Sequence, residues 1–450
     1  MKMKWNISKI VIGLLLVICA WYGKNLDSWG RNTIINHDVI SYYAYLPAAI
    51  IFQDFNFHFI KDVTPDYEVR VWYSTAENGK PVLRMTMGLA ILWLPFFLIA
   101  HLLAPVLGVS ALGYSWPYSL SIFIAALFYM LMGLVFLRRI LLNYFSDWIT
   151  GMTLAVIVAA TNLMYYVISE PGMSHIYSFA LITGFLFFTL SWIKKPTLFL
   201  SIVMGVFAGL IILIRPVNGL VLIFPAFIGI NSLSGLKKRI FTHWKFIAIG
   251  TFSAFLMLLP QIIYWKIQTG HFVFNSYMES GKFYLLHPNI TTGLFGFRKG
   301  WLVYTPVMLF ALTGFFMMKK YAKGLRNVIL AFMVLFIYFI FSWWCWWYGG
   351  SFGSRPMIET YGILAVPMAA TFTYLFQKQA WVKIIPGFLL MAFLSLNQFQ
   401  MGQYRTSVLH WDSMTKDAFF AIFLKKNPPK DYEMLLHKPD YDKALKGEKE

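Results

Sequence analysis

Charge is scarce in this sequence: only 13% of its 450 residues are Asp, Glu, Lys or Arg, about half the share of a soluble domain. Cysteine is scarcer still. Cys19 and Cys345 are the only two, both lie in or beside apolar runs, and their spacing provides neither a zinc site nor a disulfide framework. There is no internal repeat, no low-complexity tract and no Pro/Gly-interrupted pair of helices in matching halves, as inverted-repeat transporters have. The first apolar run, about Ser8–Tyr22, follows Lys2, Lys4 and Lys9. No small-x-small cleavage site comes after it, so it reads as a retained anchor rather than a signal peptide.

Hydrophobic side chains make up 59% of the chain, and apolar runs near the roughly 20 residues needed to cross a bilayer recur along it. The class is an all-α polytopic membrane protein. A net charge of +19 would ordinarily point to nucleic acid. Here the Lys and Arg residues fall mostly in short loops between apolar runs, where membrane topology puts them, so no nucleic-acid partner is expected.

With the Lys-rich N-terminus cytoplasmic, the first helix delivers residues 24–85 to the outer side as a long polar loop. That loop ends on the turn signal Asn78-Gly79-Lys80-Pro81. If the next apolar stretch, residues 86–107, crosses fully, Arg138/Arg139 and every later basic loop fall outside. If it lies in the interface or re-enters, they all fall inside. The positive-inside rule selects the second count. The expected architecture is about 11 transmembrane helices over residues 1–400, with interfacial helices in the first outer loop and a short non-cytoplasmic tail at 401–450.

Polar chemistry then gathers on the outer face. Asp38, in NHDVISYYAYLPA, precedes a helix and shares one face with Tyr42 and Tyr45, four and seven residues on. Its plain role is an N-cap; its alternative is a carboxylate held at the membrane surface for catalysis. Glu170, Ser174 and His175 fall in SEPGMSH, a short connection between two spans. Glu170 could be a solvated loop residue, or it could orient an acceptor or complete a cation site with Asp38. Two oxygens and one imidazole do not name a metal.

Arg215 precedes Pro216 at an outer helix end, against the positive-inside bias. It either snorkels or binds an anion such as a lipid phosphate. Residues 343–360, WWCWWYGGSFGSRPMIET, form an aromatic belt followed by a glycine-rich loop. Arg355 and Glu359 there could pair across one helical turn, or Arg355 could meet a phosphate beside aromatic faces, Trp347 among them. Tyr277 and Glu279 belong to a loop over 266–300 that shapes a substrate.

This constellation resembles the C-type (GT-C) integral-membrane glycosyltransferases. Within them it is similar to bacterial relatives of the protein O-mannosyltransferases and to the lipid A aminoarabinose transferase. The likeness covers about Trp5–Gln400. By it, Asp38 matches a catalytic aspartate of the first outer loop and Glu170 a second-loop acid, where near relatives usually carry Asp. Arg215 matches a phosphate-binding position, and GGSFGSRPMIE an Arg-containing later loop. The resemblance implies a polyprenyl-phosphate-linked sugar donor and an acceptor glycan, lipid or protein. It further implies a place among the lipids of a bacterial plasma membrane, with the active site non-cytoplasmic. No cofactor is certain, and a divalent cation stays open. The rival readings are a transporter or flippase of a lipid-linked sugar, and a non-enzymatic scaffold.

Overall fold

The computed structural model describes residues 6–31, 33–63, 71–230 and 232–448; Lys2 and Lys4, used above to orient the chain, lie outside them. It is predominantly helical. The main helices, in chain order, begin with α1 (Ile7–Leu26), α2 (Asp38–Tyr43), α3 (Gly88–Val106), α4 (Trp116–Leu141) and α5 (Asp147–Ala159). They continue with α6 (Leu163–Ile168), α7 (Ser174–Lys194), α8 (Leu198–Ile214), α9 (Leu233–Thr269), α10 (Leu309–Tyr321) and α11 (Lys323–Ser342). The last are α12 (Tyr361–Phe376), α13 (Ala380–Arg405), α14 (Lys416–Ile422) and α15 (Tyr441–Lys446). Among the described residues, seven helices are long and apolar enough to cross a membrane: α1, α3, α4, α7, α9, α11 and α13.

The first loop adds a two-stranded antiparallel hairpin, β1 (Tyr73–Thr75) with β2 (Pro81–Leu83). Its turn is the Asn78-Gly79 segment. Gly79 takes a φ of 80°, open to glycine at little cost, and the Ala76 N–H reaches the Lys80 carbonyl at 2.9 Å.

Side-chain bonds fix which helix ends meet. Arg138, near the end of α4, donates from Nε to the Ser8 hydroxyl at 2.6 Å and pairs with Asp147 at 3.5 Å. Ser8 donates in turn to Asp147, so the starts of α1 and α5 and the end of α4 share one face. The opposite ends carry the polar cluster described below. α3 is held at both ends by side-chain contacts with other helices. At its start the Met87 N–H reaches Gln261 at 2.8 Å, and Thr86 bonds to the Leu213 carbonyl at the end of α8. At its far end His101 meets Tyr118, in the first turn of α4, at 2.7 Å. Between them α3 exposes Leu98 and Ile99.

Close helix contact is bought with glycine. A Cβ added to Gly314 of α10 would run into the Pro367 carbonyl of α12. Gly314→Val is therefore expected to cost about 1–3 kcal/mol of stability by overpacking, read as a lower unfolding midpoint in detergent. The C-terminal segment is no loose tail. Tyr432 and Ala444 are buried, and Tyr441 stacks edge-on against Trp344 and Trp347 at 6.3 and 5.4 Å.

Candidate active site

The site is assembled around one short 3-10 turn, Arg355–Thr360. Ser-Arg-Pro starts it, since proline presets the first φ and needs no N–H partner. Arg355 and Glu359 do not pair with each other across this turn. Each reaches a distant segment instead. Arg355 donates to Asp38 Oδ2 at 3.1 Å. Glu359 accepts from Arg215 at 2.7 Å and from His175 Nδ1 at 3.0 Å. A carboxylate acceptor requires the proton on that nitrogen, so His175 is a donor here. The turn thus ties the first loop to the start of α7 and the end of α8.

Asp38 is the first residue of α2, not its cap. His37 occupies the cap position without a side-chain bond, at φ 49°, ψ −130°, a conformation that non-glycine residues adopt only under constraint. The strained step aims the Asp38 carboxylate at Arg355. Their side chains keep 20% and 15% of their exposure, so the pair is reachable from solvent.

The Arg215–Glu359 pair is more enclosed. Glu359 is fully buried, whereas the Arg215 side chain retains 19% exposure and lies over the Tyr348 ring at 5.4 Å. Arg215 is therefore an ion-pair partner first, not a snorkelling end residue. Burial pushes the Glu359 carboxyl up, but the Arg215 guanidinium and the His175 bond outweigh it and hold the group below its ordinary value of 4.5.

Glu170 bonds Tyr165 at 2.8 Å. Burial raises its carboxyl above the usual range, with Tyr165, Arg355 and Lys299 opposing. Tyr42 is buried beside Asp38 and Ser174, and Tyr277, near the same charges, crosses Trp343 edge-on at 5.6 Å.

Three of the residues expected in the site stand elsewhere. Tyr45 is on the Asp38 face, but seven residues carry it about 10 Å along the helix. There it is buried against Tyr264 at 5.1 Å and bonds the Met85 carbonyl. Glu279 is exposed on the turn Met278–Ser280. Trp347 lies under Arg298 at 5.3 Å and against Tyr441, not beside Arg355. The cation reading for Glu170 and His175 is not assembled either, because His175 turns to Glu359. Among the described residues no three His, Cys, Asp or Glu side chains gather as metal ligands.

Lys299, from the loop over 266–300 whose spacing assigns no role to any one residue, joins the site. It is buried at 2% exposure, bonds the Ser351 carbonyl and lies over the Tyr404 ring at 5.3 Å. Burial pushes its ammonium down to about 7, against the pull of Asp412 and Glu170. Arg298-Lys299 is a basic pair in a loop expected on the outer side, so the anomaly that marked Arg215 marks it too.

The sign of its pH dependence follows. Between about 7 and its ordinary 10.5 the unfolded chain holds a proton that the folded protein has shed, so this residue adds stability as pH rises. Lys299→Met is expected to flatten that upward slope, checked by unfolding midpoints across the window. No protein-family model matches the chain, and no curated protein matches it.

Proposed function

We propose that the protein is a membrane-embedded glycosyltransferase of the C type. It would move a sugar from a polyprenyl-phosphate carrier to an acceptor hydroxyl at the non-cytoplasmic face. The observation that carries this reading is the partly exposed Asp38–Arg355 pair. It is a carboxylate and a guanidinium 317 residues apart in the chain, with Glu170 and Tyr42 in the same electrostatic surroundings.

In the reaction, Asp38 accepts the proton of the acceptor hydroxyl as its oxygen attacks the anomeric carbon. The bond from that carbon to the phosphate oxygen breaks, and the electron pair leaves with the polyprenyl phosphate. Attack from the opposite side inverts the anomeric centre. Arg355 has a second task. A phosphate presents two oxygens to a guanidinium fork, so the bound donor competes with Asp38 for Arg355 and frees the carboxylate when the substrate is present. Arg215, held by Glu359, adds positive charge where the leaving phosphate gains negative charge.

The finer topology belongs to this proposal. The shorter helices α5–α6, α8, α10 and α12, with the segment Pro216–Phe227, complete eleven crossings beside six of the seven long helices. α3 would enter and leave on the catalytic side, an arrangement supported by the contacts of both its ends with helix ends of that side. The membrane is then the bacterial plasma membrane, with basic connectors in the cytoplasm.

The test is a proteoliposome assay with a labelled polyprenyl-phosphate sugar and a cell-envelope acceptor extract. Expected are a covalently labelled product and stoichiometric free polyprenyl phosphate. Label that equilibrates across the bilayer without any covalent product would replace this reading with a flippase.

A further inference from the structure

Three guanidiniums act electrostatically on Tyr277: Arg215, Arg355 and Arg84. Two are already engaged, Arg215 by Glu359 and Arg355 by Asp38. Arg84 is half-buried, and its Nε is buried without an acceptor. Among the described residues no carboxylate pairs with it. An empty buried donor is costly, so a state in which an oxygen fills it is favoured.

The backbone of Arg84 is fixed on both sides. Its N–H reaches the Trp72 carbonyl at 3.2 Å, and its own carbonyl accepts from Ser276 Oγ at 2.6 Å. The same Trp72 carbonyl accepts from Ser41 Oγ at 2.9 Å. Ser41 follows Asp38 by three residues, on the same face of α2. One acceptor thus ties Arg84 to the helix that carries Asp38. On its other flank the Leu83 N–H reaches Tyr264 of α9 at 3.0 Å. Beside Tyr264, α9 exposes Ile263 and Ile267, apolar surface on which a lipid chain can lie.

An unpaired guanidinium offers its Nε–Nη edge as a two-donor fork, the complement of a phosphate. A phosphate that reaches Arg355 must displace Asp38, so the bond gained is offset by the bond lost. One that reaches Arg84 displaces no carboxylate.

We propose that Arg84 holds the phosphate of a prenyl lipid, and that Arg355 exchanges Asp38 for that phosphate only after Arg84 has captured it. The lipid-phosphate site stands on the empty fork and its apolar flank; the order of events rests on the glycosyltransferase reading. Arg84 is then a positioning residue that supplies affinity, while Arg355 governs turnover.

The probe is farnesyl phosphate, a short prenyl monophosphate, titrated into the full-length protein in detergent. Tryptophan fluorescence reads it, since Trp343 crosses Tyr277 at 5.6 Å. Farnesol and inorganic phosphate are the comparisons. Expected is saturable binding of farnesyl phosphate, at least about tenfold tighter than of either. Arg84→Gln should weaken it about tenfold or more. Arg84→Lys keeps the charge without the fork and should weaken it less. Lys320→Gln, on the exposed last turn of α10, should change nothing. Arg84→Gln removes no bond, so its unfolding midpoint should stay in place. In the transfer assay it should raise KM for the lipid-linked sugar with kcat little changed.

Farnesyl phosphate binding that survives Arg84→Gln, or a lowered midpoint in that variant, overturns the role of Arg84. No saturable response, or inorganic phosphate or farnesol binding as tightly, overturns the lipid-phosphate site. The titration contains neither sugar nor acceptor. Its failure leaves the transfer assay to decide the activity, and a failed transfer assay leaves this site standing.

Discussion

Asp38→Asn is expected to lower sugar transfer by about 10²–10⁴-fold, the usual contribution of a positioned general base. The amide keeps the shape of the carboxylate, and its oxygen still accepts from Arg355, whose bond to Asp38 Oδ2 is 3.1 Å. The donor site should therefore survive, and the loss should appear in kcat with KM for the lipid-linked sugar little changed. A variant that raises KM instead would assign Asp38 to holding Arg355 in place. Near-normal transfer would remove it from the chemistry altogether.

The second large effect concerns stability. Glu359→Gln should lower it by about 3 kcal/mol, the lower end of the cost of removing one partner from a buried pair. The lower end applies because the Arg215 side chain keeps 19% exposure and can recover some solvation. Removing both charges, as Arg215→Met with Glu359→Leu, should recover most of that loss, since a buried pair replaced by apolar side chains is often neutral. Transfer should not recover with it, because the positive charge at the phosphate is gone. Denaturation midpoints and turnover for the two variants separate these effects.

A pH series provides an independent check of the same pair. Because the folded Glu359 carboxyl sits below its ordinary 4.5, its contribution is full above about 4.5. It fades as pH falls through the folded value, where the folded protein takes up the proton as well. Glu359→Gln should lack that portion of the acid loss.

The sequence made the class and the polar rim legible, because both follow from local patterns. Low charge and recurrent apolar runs specify a helical membrane protein, and the violation of the positive-inside bias marked Arg215. The same violation at Arg298-Lys299 held information, but spacing within the loop assigned no role to any one residue. Pairings were out of reach. Arg355 and Glu359 stand one turn apart, and local reasoning pairs them, yet their partners lie 317 and 144 residues away. Tyr45 shows the complementary failure. Periodicity predicts a shared face but carries no information on distance along the axis, and Tyr264, far away in sequence, provides its actual neighbour. The packing of the tail was out of reach as well, because the tryptophans that bury it are about a hundred residues upstream.

The turn Arg355–Thr360 is rigidly short, and its two anchors sit on different segments, the first loop and the end of α8. A ligand that draws Arg355 away from the first loop must also tug on Glu359, and through it on the end of α8. The two segments are yoked like pans on one beam. Donor engagement should thus register as a shift in the surroundings of Tyr348, which Arg215 covers, before any bond in the sugar has changed.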